Sequence, residues 1–380
     1  MDRRNILIVH ISNISGHRGA SIAIEKALRE INAPAQIQSI NGFGYTNPRA
    51  ERVINALYML VIQKIPAFWE YLYDNERVLE RLKKTRTWIH KRQENKIARL
   101  LEEYAPDIVV CTQAFPCGMI ADYKCRHNLR IPLMAVLTDY APHGYWLHQG
   151  IDIYVVPSEE VKSRFIQRGI APDCLMPIGI PVSPEFLQHH QRPETFRRYN
   201  LAPEIPVALV MGGGQGLGPI KEVTGQLNRV SSPLQIAVVC GTNKRLFLWL
   251  KKRQRLFSKL TVVIGQTDNN VISELMDIAA FIVTKPGGLT TAEALSKSLP
   301  MIIIDPLPGQ EKFNTRFLLE GKAALKVNTP RELGSLAEKL LKYPRALQEL
   351  RMRAKNLACP DSALKIARLI LQTMQRYNKN

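Results

Sequence analysis

The sequence predicts an α/β protein built as two doubly wound, parallel-sheet domains in tandem. Three observations predict it. Short apolar runs alternate with helix-periodic stretches, glycines recur at the ends of those runs, and the whole pattern restarts near Glu204. Alternating strand and helix signals mark βαβ units and a parallel sheet. A chain of 380 residues, at about 150 per domain, has room for two cores.

The elements follow in order. NILIVHIS is a strand, SGHRG a turn, and ASIAIEKALREI a helix. DIVVCTQ is the next strand, after a helix ending near Tyr104. PLMAVLTD, IDIYVVPS and CLMPIGIP are further short apolar runs, with a helix over 159–168 after the second. A polar, proline-bearing stretch from His189 to Pro203 then separates the halves. PVALVMGGG, QIAVVCG, LTVVIG, AAFIVTKP and PMIIIDPL are the strands of the second half. In DSALKIARLILQTMQRY, residues Ala363, Leu364, Ala367, Ile370, Leu371 and Met374 share one face, which defines an amphipathic helix. The expected domains are 1–203 and 204–358, with a C-terminal helix in 359–380 packing back on the first.

Composition narrows the function. The net charge is +19, which suits a polyanionic partner: nucleic acid, an anionic membrane face or a nucleotide substrate. Residues 1–200 carry 26 Lys+Arg against 20 Asp+Glu, and residues 201–380 carry 26 against 13, so the excess is larger in the second half. Six cysteines without a CxxC pair give no disulfide ladder and no zinc spacing, which fits a reduced compartment. MDRRNILIVHIS enters a strand directly, without a signal-peptide layout. No apolar run approaches the roughly 20 residues of a membrane span.

Tandem doubly wound domains imply a cleft, with ligands at the carboxyl ends of the strands. The glycines stand there. Gly16 follows the first strand, Gly212, Gly213 and Gly214 follow PVALVM, and Gly287 and Gly288 follow FIVTKP and open the helix TTAEALSKSL. A helix N-terminus behind bare backbone is an anion site. The triple glycine lacks the GK[ST] of a P-loop and the downstream acid of a dinucleotide fingerprint.

TKPGGLTTAEALSKSLPMIIIDPLPGQEKFNTRFLLEGKAA resembles the donor region of the GT-B glycosyltransferases that include the monogalactosyldiacylglycerol synthases and processive diacylglycerol glucosyltransferases. HISNISGHRGASIAI is similar to that family's N-terminal loop, and LTDYAPHGYWLHQGIDIYVVPSEEVKSRFIQRGI to its acceptor domain. VCGTNKRLFLWL and IGQTDNNVISELM match the second domain, so the resemblance runs from Ile6 to about Ala324. It departs at Asn13-Ile14-Ser15, where the family has another glycine, and at Ala279-Ala280, where it often has an aspartate.

The resemblance implies two Rossmann-like domains in the GT-B arrangement, and inverting transfer of glucose or galactose from a UDP-sugar to diacylglycerol, with no metal or other cofactor. It implies that Gly287, Gly288 and Thr290 face the diphosphate, with the Gly212–Gly214 loop closing from the other side. Glu293 would accept from the ribose hydroxyls, and Gln310, Glu311 and Asn314 would hold the sugar. His17 or Asp139 would be the base that takes the acceptor proton, and His143 and His148 would line the acceptor side.

A lipid acceptor requires contact with a bilayer. Residues 49–99 mix apolar and aromatic side chains with bases, eight Lys+Arg against one acid between Arg81 and Arg99. A second cluster, Lys244 to Lys259, holds seven bases and no acid. Both suit peripheral binding to an anionic leaflet from the cytoplasmic side. Two alternatives stand beside this reading: a UDP-GlcNAc transferase acting on a lipid-linked peptidoglycan precursor, and a basic nucleic-acid-binding protein. The second explains the charge but not the strand-end glycines with Glu293 and Gln310-Glu311.

Overall fold

The structure, a computed structural model, describes residues 4–11, 15–46, 90–141, 143–307 and 309–377. The expected interfacial segment lies mostly outside them, as does the Asn13-Ile14 departure. The chain divides into two compact units. The first comprises 1–181 and 361–380, to which 308–310 is also assigned. The second comprises 182–307 and 311–360.

The first unit holds β1 (Arg4–His10), β2 (Ala35–Asn41), β3 (Ile108–Cys111), β4 (Leu133–Val136), β5 (Ile153–Val155) and β6 (Leu175–Met176). They form one sheet in the order β2-β1-β3-β4-β5-β6, and every pairing is parallel. β3 and β4 are wholly buried, as strands covered by helices on both faces must be. The helix Gly16–Glu30 starts on Ser15, whose hydroxyl accepts from the Arg18 N–H, an N-cap that satisfies one orphan donor. Its buried face, Ala23, Ile24, Ala27 and Leu28, meets the C-terminal helix Ser362–Tyr377 through Ala363, Ile366, Ala367, Ile370 and Met374. The buried stripe is centred slightly later than the sequence suggests: Ile366 and Thr373 are inside, while Leu364 and Leu371 flank it.

The second unit holds β7 (Val207–Met211), β8 (Gln235–Val239), β9 (Thr261–Ile264), β10 (Ala279–Thr284), β11 (Met301–Ile303) and β12 (Ala324–Lys326). Its order is β12-β11-β10-β7-β8-β9, again wholly parallel. That is the doubly wound nucleotide-binding order, and its reversal lies between β7 and β10.

The division between units falls at Pro181/Val182 rather than at 203/204. Residues 182–203 are tied to the second unit by specific bonds. Arg198 Nη1 pairs with Glu274 at 2.6 Å, and the Gln235 amide donates to the carbonyls of Ala202 and Ile205 at 2.8 and 3.0 Å. The pattern restart near Glu204 marks the start of a strand, not the change of unit. The strands absent from the sequence reading are β2 and β12. Both are sheet edges, one polar and half-exposed and one of only three residues, so neither carries an apolar run.

Ile370 is fully buried between the first unit's helices. Ile370→Ala is expected to cost about 2–5 kcal/mol, read as a lower urea midpoint with an unchanged slope.

Candidate active site

In the second unit the chemistry-bearing residues gather at the reversal of strand order. β7 runs into the glycine loop 212–218, and β10 runs into Lys285-Pro286-Gly287 and the helix Gly288–Ser296. The Gly212 site is filled by the loop itself: a Cβ there would stand 2.1 Å from the Leu217 carbonyl oxygen. Gly212 therefore serves the loop's own packing. Around Gly214 and Gly287 there is nothing within 4 Å of such a Cβ, so the backbone there borders open space.

The helix Gly288–Ser296 has Gly287 as N-cap and no capping side chain. Its first intrahelical bond is from the Thr291 N–H to the Gly287 carbonyl, 2.8 Å. The N–H groups of Gly288, Leu289 and Thr290 thus have no acceptor within the helix. With the helix dipole they form an anion cradle. Thr290 is half-exposed beside it, and the Thr291 hydroxyl is buried without a hydrogen-bond partner.

Glu293 sits in the second turn, half-buried, with no hydrogen-bond partner among the described residues. Burial alone raises its carboxyl to about 7, since taking a carboxylate out of water without a cation or donor favours the neutral form. Such a group is poised to accept bonds from ligand hydroxyls.

Lys285 is a residue the sequence reading missed. It is 7% exposed, and its Nζ stands 3.8 Å from Glu311 Oε2. Burial lowers its pKa, against the opposing pull of Glu311 and Asp305. Its methylenes pass Gly218, where a Cβ would come within 3.3 Å of Lys285 Cδ. One side chain therefore links the glycine loop to Glu311. Glu311 accepts from the Leu307 N–H at 2.6 Å, and burial raises its pKa against the effects of Lys285 and that bond. Gln310 opens the helix Gln310–Glu320 and is half-exposed. Asn314 is fully buried, and its Nδ2 donates to the Pro286 carbonyl at 2.9 Å. Asn314 thereby holds the Pro-Gly-Gly turn.

In the first unit, His17 lies at the corresponding reversal, between β1 and β3. Its Nδ1 is 2.8 Å from the Thr112 carbonyl oxygen and 2.9 Å from Thr138 Oγ1. A carbonyl can only accept, so Nδ1 carries the proton and Nε2 keeps its lone pair. Thr112 is fixed in turn, its hydroxyl donating to the His17 carbonyl at 2.9 Å and lying 3.0 Å from Ser21 Oγ. Burial lowers the His17 pKa to about 4, against a raising effect of the Thr112 bond and with a further lowering by His10. The imidazole is neutral at pH 7, in proton-accepting form. Thr112 and Thr138 were missed from sequence because each reads as an ordinary strand-end residue. Asp139 follows Thr138 and is half-buried.

The other two histidines are held by bonds of their own. His148 is buried, with Nδ1 3.0 Å from Asp122 Oδ1, while Asp122 Oδ2 is 2.6 Å from His90 Nδ1. Burial would raise the Asp122 pKa, but its bonds to His148 and His90 outweigh that and hold it well below the usual carboxylate range. This is a core network. His143 accepts from the Tyr145 N–H at 3.2 Å and stacks on that ring, 4.9 Å between centroids.

Comparison with known proteins follows the same lines. The family described as monogalactosyldiacylglycerol (MGDG) synthase matches residues 17–182. The processive diacylglycerol beta-glucosyltransferase of Bacillus subtilis is 29% identical over 373 residues, 97% of this chain and 95% of that one. The Bacillus licheniformis enzyme of the same name is 28% identical over 95% of this chain and 92% of its own. Among solved structures, Acinetobacter baumannii MurG superposes with a TM-score of 0.64 at 16% identity, covering 97% of this chain and 99% of MurG. The calicheamicin glycosyltransferase CalG4 gives 0.61 at 14% identity, covering 99% of each chain. The fold is of the GT-B class that these structures share. In sequence the chain is similar to the processive diacylglycerol beta-glucosyltransferases over nearly its whole length, and to the monogalactosyldiacylglycerol synthases over residues 17–182.

The raised Glu293 pKa sets a signed expectation. The unfolded carboxyl ionises near 4.5 and the folded one near 7, so the group opposes folding increasingly as pH rises through that window. Glu293→Gln should raise the ligand-free melting temperature at pH 8, by a stability gain of up to about 3 kcal/mol, and leave it nearly unchanged at pH 4.

Proposed function

We propose that the chain is an inverting, UDP-sugar-dependent hexosyltransferase that moves glucose or galactose to the hydroxyl of diacylglycerol at an anionic membrane surface. The observation that carries the donor half is Glu293, an unpartnered, half-buried carboxyl one turn behind a bare helix N-terminus. A ribose offers paired hydroxyls at that spacing from a diphosphate. The acceptor half is supported by relatives over nearly the whole chain, whose names give diacylglycerol as the acceptor. The structural neighbours also include UDP-N-acetylglucosamine 2-epimerases, which share the fold, so the choice of transfer over epimerisation rests on the sequence relatives. No helix among the described residues is long and apolar enough to cross a membrane, and the chain is proposed to work from the cytoplasmic face as a peripheral protein.

The reaction needs a proton acceptor and a stabilised leaving group. His17 Nε2 takes the proton from the acceptor hydroxyl as its oxygen bonds to the anomeric carbon. The bond from that carbon to the diphosphate breaks on the opposite side, and its electron pair stays on the phosphate oxygen. The Gly288, Leu289 and Thr290 N–H groups and the Lys285 ammonium offset that charge, so no metal is required of the scheme. Gln310 and Glu311 orient the sugar. Asp139 is the alternative base, one residue beyond the hydroxyl that touches His17.

Full-length protein incubated with diacylglycerol vesicles and radiolabelled UDP-glucose or UDP-galactose should yield labelled lipid from at least one donor. Absence of label from both would sink the proposal. Glu293→Ala is expected to weaken UDP binding by tenfold or more, the loss of about 1.5–3 kcal/mol of charge-assisted bonds. His17→Ala should leave UDP binding intact and lower turnover by roughly 10²–10⁴-fold.

A further inference from the structure

The helix Lys244–Arg253 and the turn that follows it present a face that nothing in the second unit uses. Leu246 and Leu250 point into the core. The opposite face, at helical spacing, carries Lys244, Leu248, Lys251, Lys252 and then Arg255, all exposed. Leu248 is 65% exposed and Leu256, in the turn Gln254–Leu256, is 81% exposed. Leu260, at the mouth of β9, is 47% exposed. These are three of the eight large hydrophobics exposed among the described residues, and they fall within 13 positions that contain no acid.

The cations are arranged rather than scattered. Trp249 lies under both Arg253 and Lys221, at 4.3 and 4.9 Å from its centroid, and Lys251 stands over Phe247 at 5.8 Å. The rings hold the cationic heads beside the leucines. The neighbouring helix Ile220–Asn228 adds Glu222, an acid that Lys221 on the same turn offsets. A surface that exposes leucines among bases, with Glu222 the single acid set against Lys221 and the seven bases of 244–259, has the chemistry of an interfacial segment: apolar insertion flanked by attraction to anionic headgroups. A nucleic acid would reward the bases but leave Leu248 and Leu256 in water.

We propose that this face of the second unit docks on an anionic lipid bilayer. The proposal deepens the membrane-surface part of the proposed function, rests on that reading for its purpose, and is tested without sugar transfer. It also gives the donor-binding unit its own lipid contact, independent of the segment around residues 49–89.

The test is co-sedimentation of the full chain with vesicles of phosphatidylcholine alone or mixed with phosphatidylglycerol. The parent should partition onto the mixed vesicles. The double variant Lys251→Glu, Lys252→Glu should lose at least roughly tenfold in partition, since each base near an anionic surface contributes about fivefold. Leu248→Ala, Leu256→Ala should lose severalfold, and the loss should persist at high salt, where charge attraction is screened. All four side chains are exposed, so melting temperature and UDP binding should match the parent. Unchanged partition in both double variants overturns the proposal. So does a charge reversal that abolishes duplex DNA binding while vesicle binding stays as in the parent. A parent chain that sediments with vesicles yet fails to bind UDP would count against the glycosyltransferase reading and leave this one standing.

Discussion

Parallel pairing is the constraint on which this structure depends. Every strand pairing described in either unit is parallel. A parallel neighbour can be reached only by crossing back through a helix. All strands of a sheet therefore deliver their carboxyl ends to one edge, and the covering helices leave that edge as the accessible one. Where strand order reverses, adjacent connections part to opposite faces and open a crevice. His17 and Thr112 meet at the reversal between β1 and β3. The glycine loop and the Lys285–Gly288 turn meet at the reversal between β7 and β10.

The two sites handle polarity in opposite ways. Around His17 the bonds are made: Thr112, Thr138 and Ser21 fix the ring and its tautomer. Only the lone pair on Nε2 is left for chemistry. In the second unit the bonds are incomplete. Glu293 and Thr291 lack partners, three amide N–H groups have no helical acceptor, and Lys285 meets its carboxylate only at 3.8 Å. Buried polar groups are rarely left so in a core. Here they stand beside an uncapped helix N-terminus, where a polar, anionic molecule would complete the set.

Most of the architecture was legible because buried parallel strands write themselves as continuous apolar runs. Ten of the twelve strands among the described residues have such runs. β2 and β12 do not, since an edge strand with an open face needs neither length nor hydrophobicity. The unit boundary was misplaced for a related reason: Arg198 and Glu274 form their tie across 76 positions, a distance at which composition is silent. At the site, Gly287, Gly288 and Glu293 could be read from the strand–turn–helix junction, which is local. Lys285, Thr112 and Thr138 could not, because their roles come from what lies opposite them in the fold. The bond from Asn314 to Pro286 is equally invisible in the sequence, since it spans 28 positions.

The helix Ser362–Tyr377 covers the face of Gly16–Glu30, with Ile366 and Ile370 against Ile24 and Leu28. The first unit is thus sealed by a segment made long after the helix it covers. While the intervening residues are being made, Ile24 and Leu28 have no native cover, and that surface is open to chaperones or to wrong partners. The order of synthesis and the order of assembly differ in this molecule, and its first unit becomes whole only once the helix Ser362–Tyr377 has been made.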